Sequence, residues 1–169
     1  MHSLLVPLES AKQVGTLYHY TSFFNLLSIL EKNKLQQGPT GYVSFTRNRH
    51  LHWQSLVAIK TDTRIEIDGD KLSERYALKP YKYHGLDVEV PYESEERTVR
   101  TIKPFKQYIK NITLFKDRWP GKEDRNWPKF EILLSRYLGI DNVSFENYVR
   151  YVNHFNVPIS LKHVKGERQ

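Results

Sequence analysis

TLYHYTSFFNLLSILEKNKL, residues 16–35, is the stretch whose reading decides the fold. LYHY at 17–20 reads as a short strand, rich in the ring side chains that suit a pleated surface. Ser22 then stands as an N-cap. Apolar residues at 23, 26, 27 and 30 recur at the spacing of one helix face. Beyond this strand-into-helix unit, QQGPTG at 36–41 is a turn-rich break and YVSF at 42–45 a second strand. NRHLHWQS reads as a polar loop or short helix. LVAIKTD and TRIEID read as a pair of strands ending at an Asp68-Gly69 turn. GDKLSERYALKPYKYHG looks irregular, with one helical turn. LDVEVPYESEERTVRTI is strand-like in two pieces broken by Pro91. PFKQYIKN reads as a short helix with Pro104 in its first turn, and NITLF as a strand. PKFEILLSRYLG is a helix opened by Pro128 and closed by Gly139. SFENYVRYVNHF is a helix capped by Ser144, and VPISLKHV is a last strand or extended tail. Strands dominate the middle and helices the two ends, which predicts an α+β fold.

The 169 residues fit one domain, 1–169, with no linker or repeat. No apolar run approaches the roughly 18 residues of a membrane span, so no membrane partner is expected. MHSLLVPLES lacks a basic start and is broken by Pro7, so no signal peptide is expected and the cytoplasm is the default location. The absence of Cys excludes disulfides, thiolate zinc sites and cysteine nucleophiles. The eight glycines form neither G-x-G-x-x-G nor a P-loop, and no H-E-x-x-H or G-x-S-x-G occurs. His50 and His52 stand two apart without a third ligand near in sequence, so no metal is expected.

The net charge of +7 is uneven. Residues 61–100 carry −3, and residues 101–130 carry +5. In the latter stretch Lys116, Arg118, Lys122 and Lys129 alternate with Phe115, Trp119 and Trp127. Cations among ring faces suit a nucleic-acid strand, because cations meet phosphates and rings stack on bases. Lys116, Arg118, Trp119, Lys122 and Trp127 are therefore candidate acceptor-binding residues. The plainer alternative is a solvated basic face over a core that needs the rings.

Three further segments come in an informative order. They are Tyr18-His19-Tyr20-Thr21 running into a helix, Tyr42-Val43-Ser44-Phe45-Thr46-Arg47 after a Gly-containing turn, and Glu93-Ser94-Glu95-Glu96-Arg97 in a strand. The ordered set resembles the ADP-ribosyltransferase superfamily over about residues 16–116. It is closest to the small, divergent branch found in phage genomes and abortive-infection systems, similar in outline to DNA-targeting ADP-ribosyltransferase toxins. The resemblance implies a split, mixed β-sheet core cradling NAD as substrate. A helix would follow the first strand, and residues 117–169 would form a C-terminal helical extension, whose helices at 128–155 match nothing in the family. It implies that His19 bonds the NAD ribose, with Tyr20, Thr21, Ser44, Phe45, Thr46 and Arg47 shaping the NAD site. Arg47 or Arg49 would take the pyrophosphate. Glu95 or Glu96 would be the catalytic glutamate. Adjacent strand residues face opposite ways, so only one of the two can look into the cleft. The E-x-E-x-R pattern of related sequences favours Glu95.

The chemistry implied needs few groups. Breaking the nicotinamide–ribose bond passes through an oxocarbenium-like state, as glycoside cleavage does. A carboxylate aimed at the ribose stabilises that state more than the ground state. The expected function is a mono-ADP-ribosyltransferase acting on a host or phage macromolecule, either nucleic acid or protein. Two alternatives stay open. One is a non-catalytic binder of nucleic acid or host protein on the same fold. The other is a hydrolase of N-glycosidic bonds, an NADase or base glycosylase.

Overall fold

The computed structural model describes residues 13–39, 41–49, 62–85 and 88–164, with the side chains of 81–95 outside the description. Residues 56–61 of the expected strand LVAIKTD, the polar segment around His50 and His52, and the first ten residues fall outside it. The described chain is α+β. Four α-helices accompany a seven-stranded, mostly antiparallel sheet of order β4-β5-β2-β1-β3-β6-β7.

Strand β1 (Thr16–Thr21) leads into α1 (Phe23–Lys32) through Ser22, whose hydroxyl accepts from the Asn25 amide at 3.1 Å. That bond satisfies one of the amides a helix start leaves open. Phe23, Leu26, Leu27 and Leu30 are all buried, as their spacing predicts. Asn33 ends the helix in the left-handed region, at φ 47. β2 (Val43–Thr46) and β3 (Thr63–Asp68) follow, and β3 pairs antiparallel with β1 from Thr16↔Asp68 to Thr21↔Thr63. At Asp68-Gly69 the expected turn is instead the N-terminus of a short helix, α2 (Gly69–Ser73), capped by the Asp68 carboxylate on the Lys71 amide. A Cβ on Gly69 would lie 2.4 Å from the Gly15 carbonyl, so this approach to β1 admits only glycine.

Two expectations are corrected in the middle of the chain. The segment read as irregular contains β4 (Lys79–Gly85), which among the described strands is an edge strand paired with β5 alone. β5 (Val88–Thr98) runs through Pro91 unbroken. Its register against β4 shifts between Lys82↔Ser94 and His84↔Glu89, so Pro91 lies where no regular ladder amide is required. A third correction concerns 104–111. Only one 3-10 turn forms, at Lys106–Tyr108, and Ile109 already begins β6 (Ile109–Phe115).

β6 and β7 (Ile159–Lys162) are parallel, so the chain between them must cross over the sheet. The crossover carries α3 (Trp127–Leu138) and α4 (Phe145–Asn153). Pro128 lies in the first turn of α3, and Gly139 closes it at φ 65. Ser144 caps α4 through the Asn147 amide. Both helices pack with α1 over one sheet face. Leu17, Val43, Phe45, Ile65, Ile112 and Leu114 meet Leu26, Leu30, Leu134, Tyr148 and Val152 in one core. The C-terminal residues thus complete the same sheet and core. The opposite face gathers Tyr18, Tyr20, Phe115 and Val164 around Arg64, which is 0% exposed.

The sheet has a weak seam. β1 and β2 share one registered pair, Tyr18↔Thr46, whereas β1 and β3 share six. The halves β4-β5-β2 and β1-β3-β6-β7 are therefore joined by one pair.

Candidate active site

At the seam the ring of His19 does what a ladder amide would otherwise do. Its Nδ1 lies 3.0 Å from the Ser44 carbonyl. A carbonyl only accepts, so Nδ1 carries the proton and Nε2 is the ring's acceptor in the neutral form. Burial lowers the His19 pKa from 6.5, and the Ser44 carbonyl opposes the shift. His19 is therefore a neutral imidazole near pH 7. It lines a cleft of about 220 Å³ with Thr21, Asn25, Ser28, Lys32 and Lys34 among its walls.

The register assigns the remaining expected residues to faces. Phe45 packs edge-on against His19, with ring centroids 6.1 Å apart. Phe45 pairs with Glu96 across β2 and β5, and directly opposed residues share a face. His19, Phe45 and Glu96 thus form one row on the helix-covered face. His19 and Glu96 are about two strand spacings apart, on the order of 10 Å. Glu96 is 0% exposed, and the half-exposed Arg47 donates to it from Nη2 at 2.5 Å. Glu95 holds the register position opposite Thr46, in the Tyr18 row on the other face. The register thus sets Glu96, and not the favoured Glu95, in the His19 row.

Other expected residues stand apart from this row. Tyr20 lies on the far face, and its hydroxyl donates to the Arg49 carbonyl at 2.8 Å. Arg64 donates to the same carbonyl at 3.0 Å. Thr21 lines the cleft, and its carbonyl accepts from the Thr63 hydroxyl. Ser44 contributes its carbonyl rather than its hydroxyl to His19. The Thr46 hydroxyl accepts from the Asn48 amide at 3.0 Å and so shapes the turn after β2. Arg47 is engaged by Glu96, which draws it away from the expected pyrophosphate role.

The basic, ring-rich stretch divides. Lys116, Arg118 and Lys122 are exposed. Trp127 is buried, and Trp119 packs edge-on or tilted against Phe23, Phe130, Phe145, Tyr148 and Trp127. Ring centroids there lie 5.1–6.5 Å apart. The two indoles are core residues, not a stacking platform. The cations remain available to a ligand.

Sequence reasoning missed the lysines of the cleft and a second cavity. That cavity, about 610 Å³, lies beside Asn25 between α1 and α3, walled by Phe24, Phe130, Asp62, Asn126 and Lys129. Its residues come from three separate chain segments, so no local pattern announces it. The Asp62 carboxylate there accepts from the Phe23 amide, and Asp124 accepts from the Asn126 amide. Among the described residues no cluster of three or more metal-ligating side chains occurs, and no helix is long and apolar enough to cross a membrane. Compared with known proteins, the chain matches no family model and no curated sequence.

Proposed function

We propose that the protein is an ADP-ribosyltransferase-type enzyme that cleaves NAD and passes ADP-ribose to a macromolecule. The observation that carries the reading is the row His19–Phe45–Glu96, with Arg47 on Glu96, whose His19 end lines a cleft between β1 and α1. The near-division of the sheet at β1 and β2 adds support, because a split sheet opens room for a ligand between its halves.

In this reading the neutral His19 ring, fixed through Nδ1, accepts a hydrogen bond from a ribose hydroxyl at Nε2. Phe45, itself buried, backs the His19 ring, and Ile29 and Leu35 supply the apolar wall of the cleft against which a flat nicotinamide ring packs. Glu96 is buried beside the cleft rather than in its wall. In this reading the β1–β2 seam opens on NAD binding and brings its carboxylate to the ribose, where it stabilises the positive charge that grows as the bond to nicotinamide breaks. Arg47 orients the Glu96 carboxylate and is a positioning residue. Positioning of this kind acts on the barrier by holding the reacting bond against the charge that stabilises its transition state. The exposed cations Lys116, Arg118 and Lys122 then face an anionic acceptor, nucleic acid or an acidic protein surface.

Release of free nicotinamide from NAD by the purified protein tests the reading. It predicts release by the wild type and loss of release in His19→Ala that is still folded by circular dichroism. No release with any nucleic-acid or protein acceptor present would leave the non-catalytic binder as the better account.

A further inference from the structure

The cleft beside His19 has a one-sided charge. Its described lining residues include Lys32 and Lys34, and none of those described is a carboxylate. Thr21, Asn25, Ser28 and Gln36 add hydroxyls and amides, which suit a ligand carrying sugar hydroxyls. The acid nearest in sequence, Glu31, is bonded instead to the Tyr151 hydroxyl on α4. Among the described residues neither lysine forms an ion pair.

Ordinary helix stability explains only part of this. Lys32 lies in the last turn of α1, where the carbonyl end of a helix favours a cation. Lys34 lies past the left-handed cap at Asn33 and is half-buried. Among the described residues no carboxylate stands in the cleft beside Lys34, so an anion that joins it meets no competing acid. The cap also fixes the chain there. The Asn33 carboxamide oxygen accepts from the amides of Phe105 and Lys106 at 3.0 and 2.8 Å, and the Lys34 amide donates to the Ile29 carbonyl. Lys34 is thus presented on rigid backbone, which lowers the cost of ordering it around a ligand.

We propose that Lys32 and Lys34 form the diphosphate end of the cleft. The anionic part of a sugar-diphosphate ligand lies along the last turn of α1, and its ribose reaches toward His19. The inference rests on the reading of the cleft as an NAD site, and it moves the diphosphate contact from Arg47, which is held by Glu96, to these two lysines.

Calorimetric titration with ADP, adenosine and inorganic pyrophosphate tests it on the wild type, on Lys32→Ala/Lys34→Ala, and on Lys34→Arg. Each charge-assisted contact removed costs about tenfold in affinity. The double variant should therefore bind ADP about a hundredfold more weakly and adenosine as the wild type does, while Lys34→Arg retains most ADP affinity. Equal ADP affinity in the double variant overturns the inference, and so does a wild type that binds neither ADP nor pyrophosphate. The two readings fail separately. ADP binding that depends on the lysines, in a protein that never releases nicotinamide, upholds the anion site and removes the enzyme reading. Nicotinamide release at unchanged KM in the double variant upholds the enzyme and removes the anion site.

Discussion

Replacing Trp119 by Ala separates a structural indole from a ligand-binding one. Trp119 touches five aromatic side chains, all from α1, α3 and α4, at centroid distances of 5.1–6.5 Å. Removing a large core aromatic costs about 3–5 kcal/mol through lost burial and the cavity left behind. Because the indole keeps partial exposure, the lower end applies, about 3 kcal/mol. For a chain of this length that lowers the thermal midpoint by roughly 6–12 °C. The assay is urea unfolding followed by far-ultraviolet circular dichroism, with the midpoint compared at constant m-value. The triple reversal Lys116→Glu, Arg118→Glu and Lys122→Glu is the control, since each change at these exposed positions shifts stability by only about 0.5 kcal/mol. A loss below about 1 kcal/mol in Trp119→Ala, together with weakened binding of single-stranded nucleic acid, would refute the packing and restore the indole to the surface.

Further outcomes follow from the same geometry. Glu96→Gln should lower nicotinamide release by two to three decades, about 3–4 kcal/mol of transition-state stabilisation. Glu95→Gln, from the opposite row, should stay within a few-fold, and the reverse ranking in steady-state rates would exchange the two assignments. Arg47→Ala should slow release by a smaller factor and destabilise the fold by about 1.5–3 kcal/mol, read by denaturant unfolding, because it removes a charge-assisted bond to a buried carboxylate. The lowered His19 pKa means the unfolded chain binds a proton more readily than the native one, so stability rises with pH from the depressed native value up to 6.5 and flattens above it. His19→Gln should weaken that rise in pH-dependent unfolding, and an unchanged slope would assign it to other groups. Tyr148→Phe, which removes a buried hydroxyl donating to the Phe23 carbonyl, should cost about 1–3 kcal/mol, again by denaturant unfolding.

Local rules carried the elements that bear their own punctuation. Ser22, Ser144, Pro128 and Gly139 mark helix ends through bonds and backbone angles that involve neighbours within four residues. β4 escaped notice because KPYKYHG opens with proline two residues in and lacks a clear alternation, which an edge strand paired on one side tolerates. The choice between Glu95 and Glu96 was not legible either. Parity along a strand separates them, but the face that looks at His19 is set by the pairing of Phe45 with Glu96, some fifty residues distant. Trp119 and Trp127 misled for a related reason. Composition shows rings among cations, and only the packing of α1, α3 and α4 decides which of the two turns inward. Lys32 and Lys34 read as the ordinary basic end of a helix until the cleft shows what they border.

The most direct test of the central claim is incubation with NAD labelled in its ADP-ribose portion, offered with separate pools of DNA, RNA and protein. The account predicts label transferred to one pool by the wild type, with an equal amount of nicotinamide released, and neither product from Glu96→Gln. Absence of both label and nicotinamide in every wild-type reaction, from protein that is folded by circular dichroism, would contradict it.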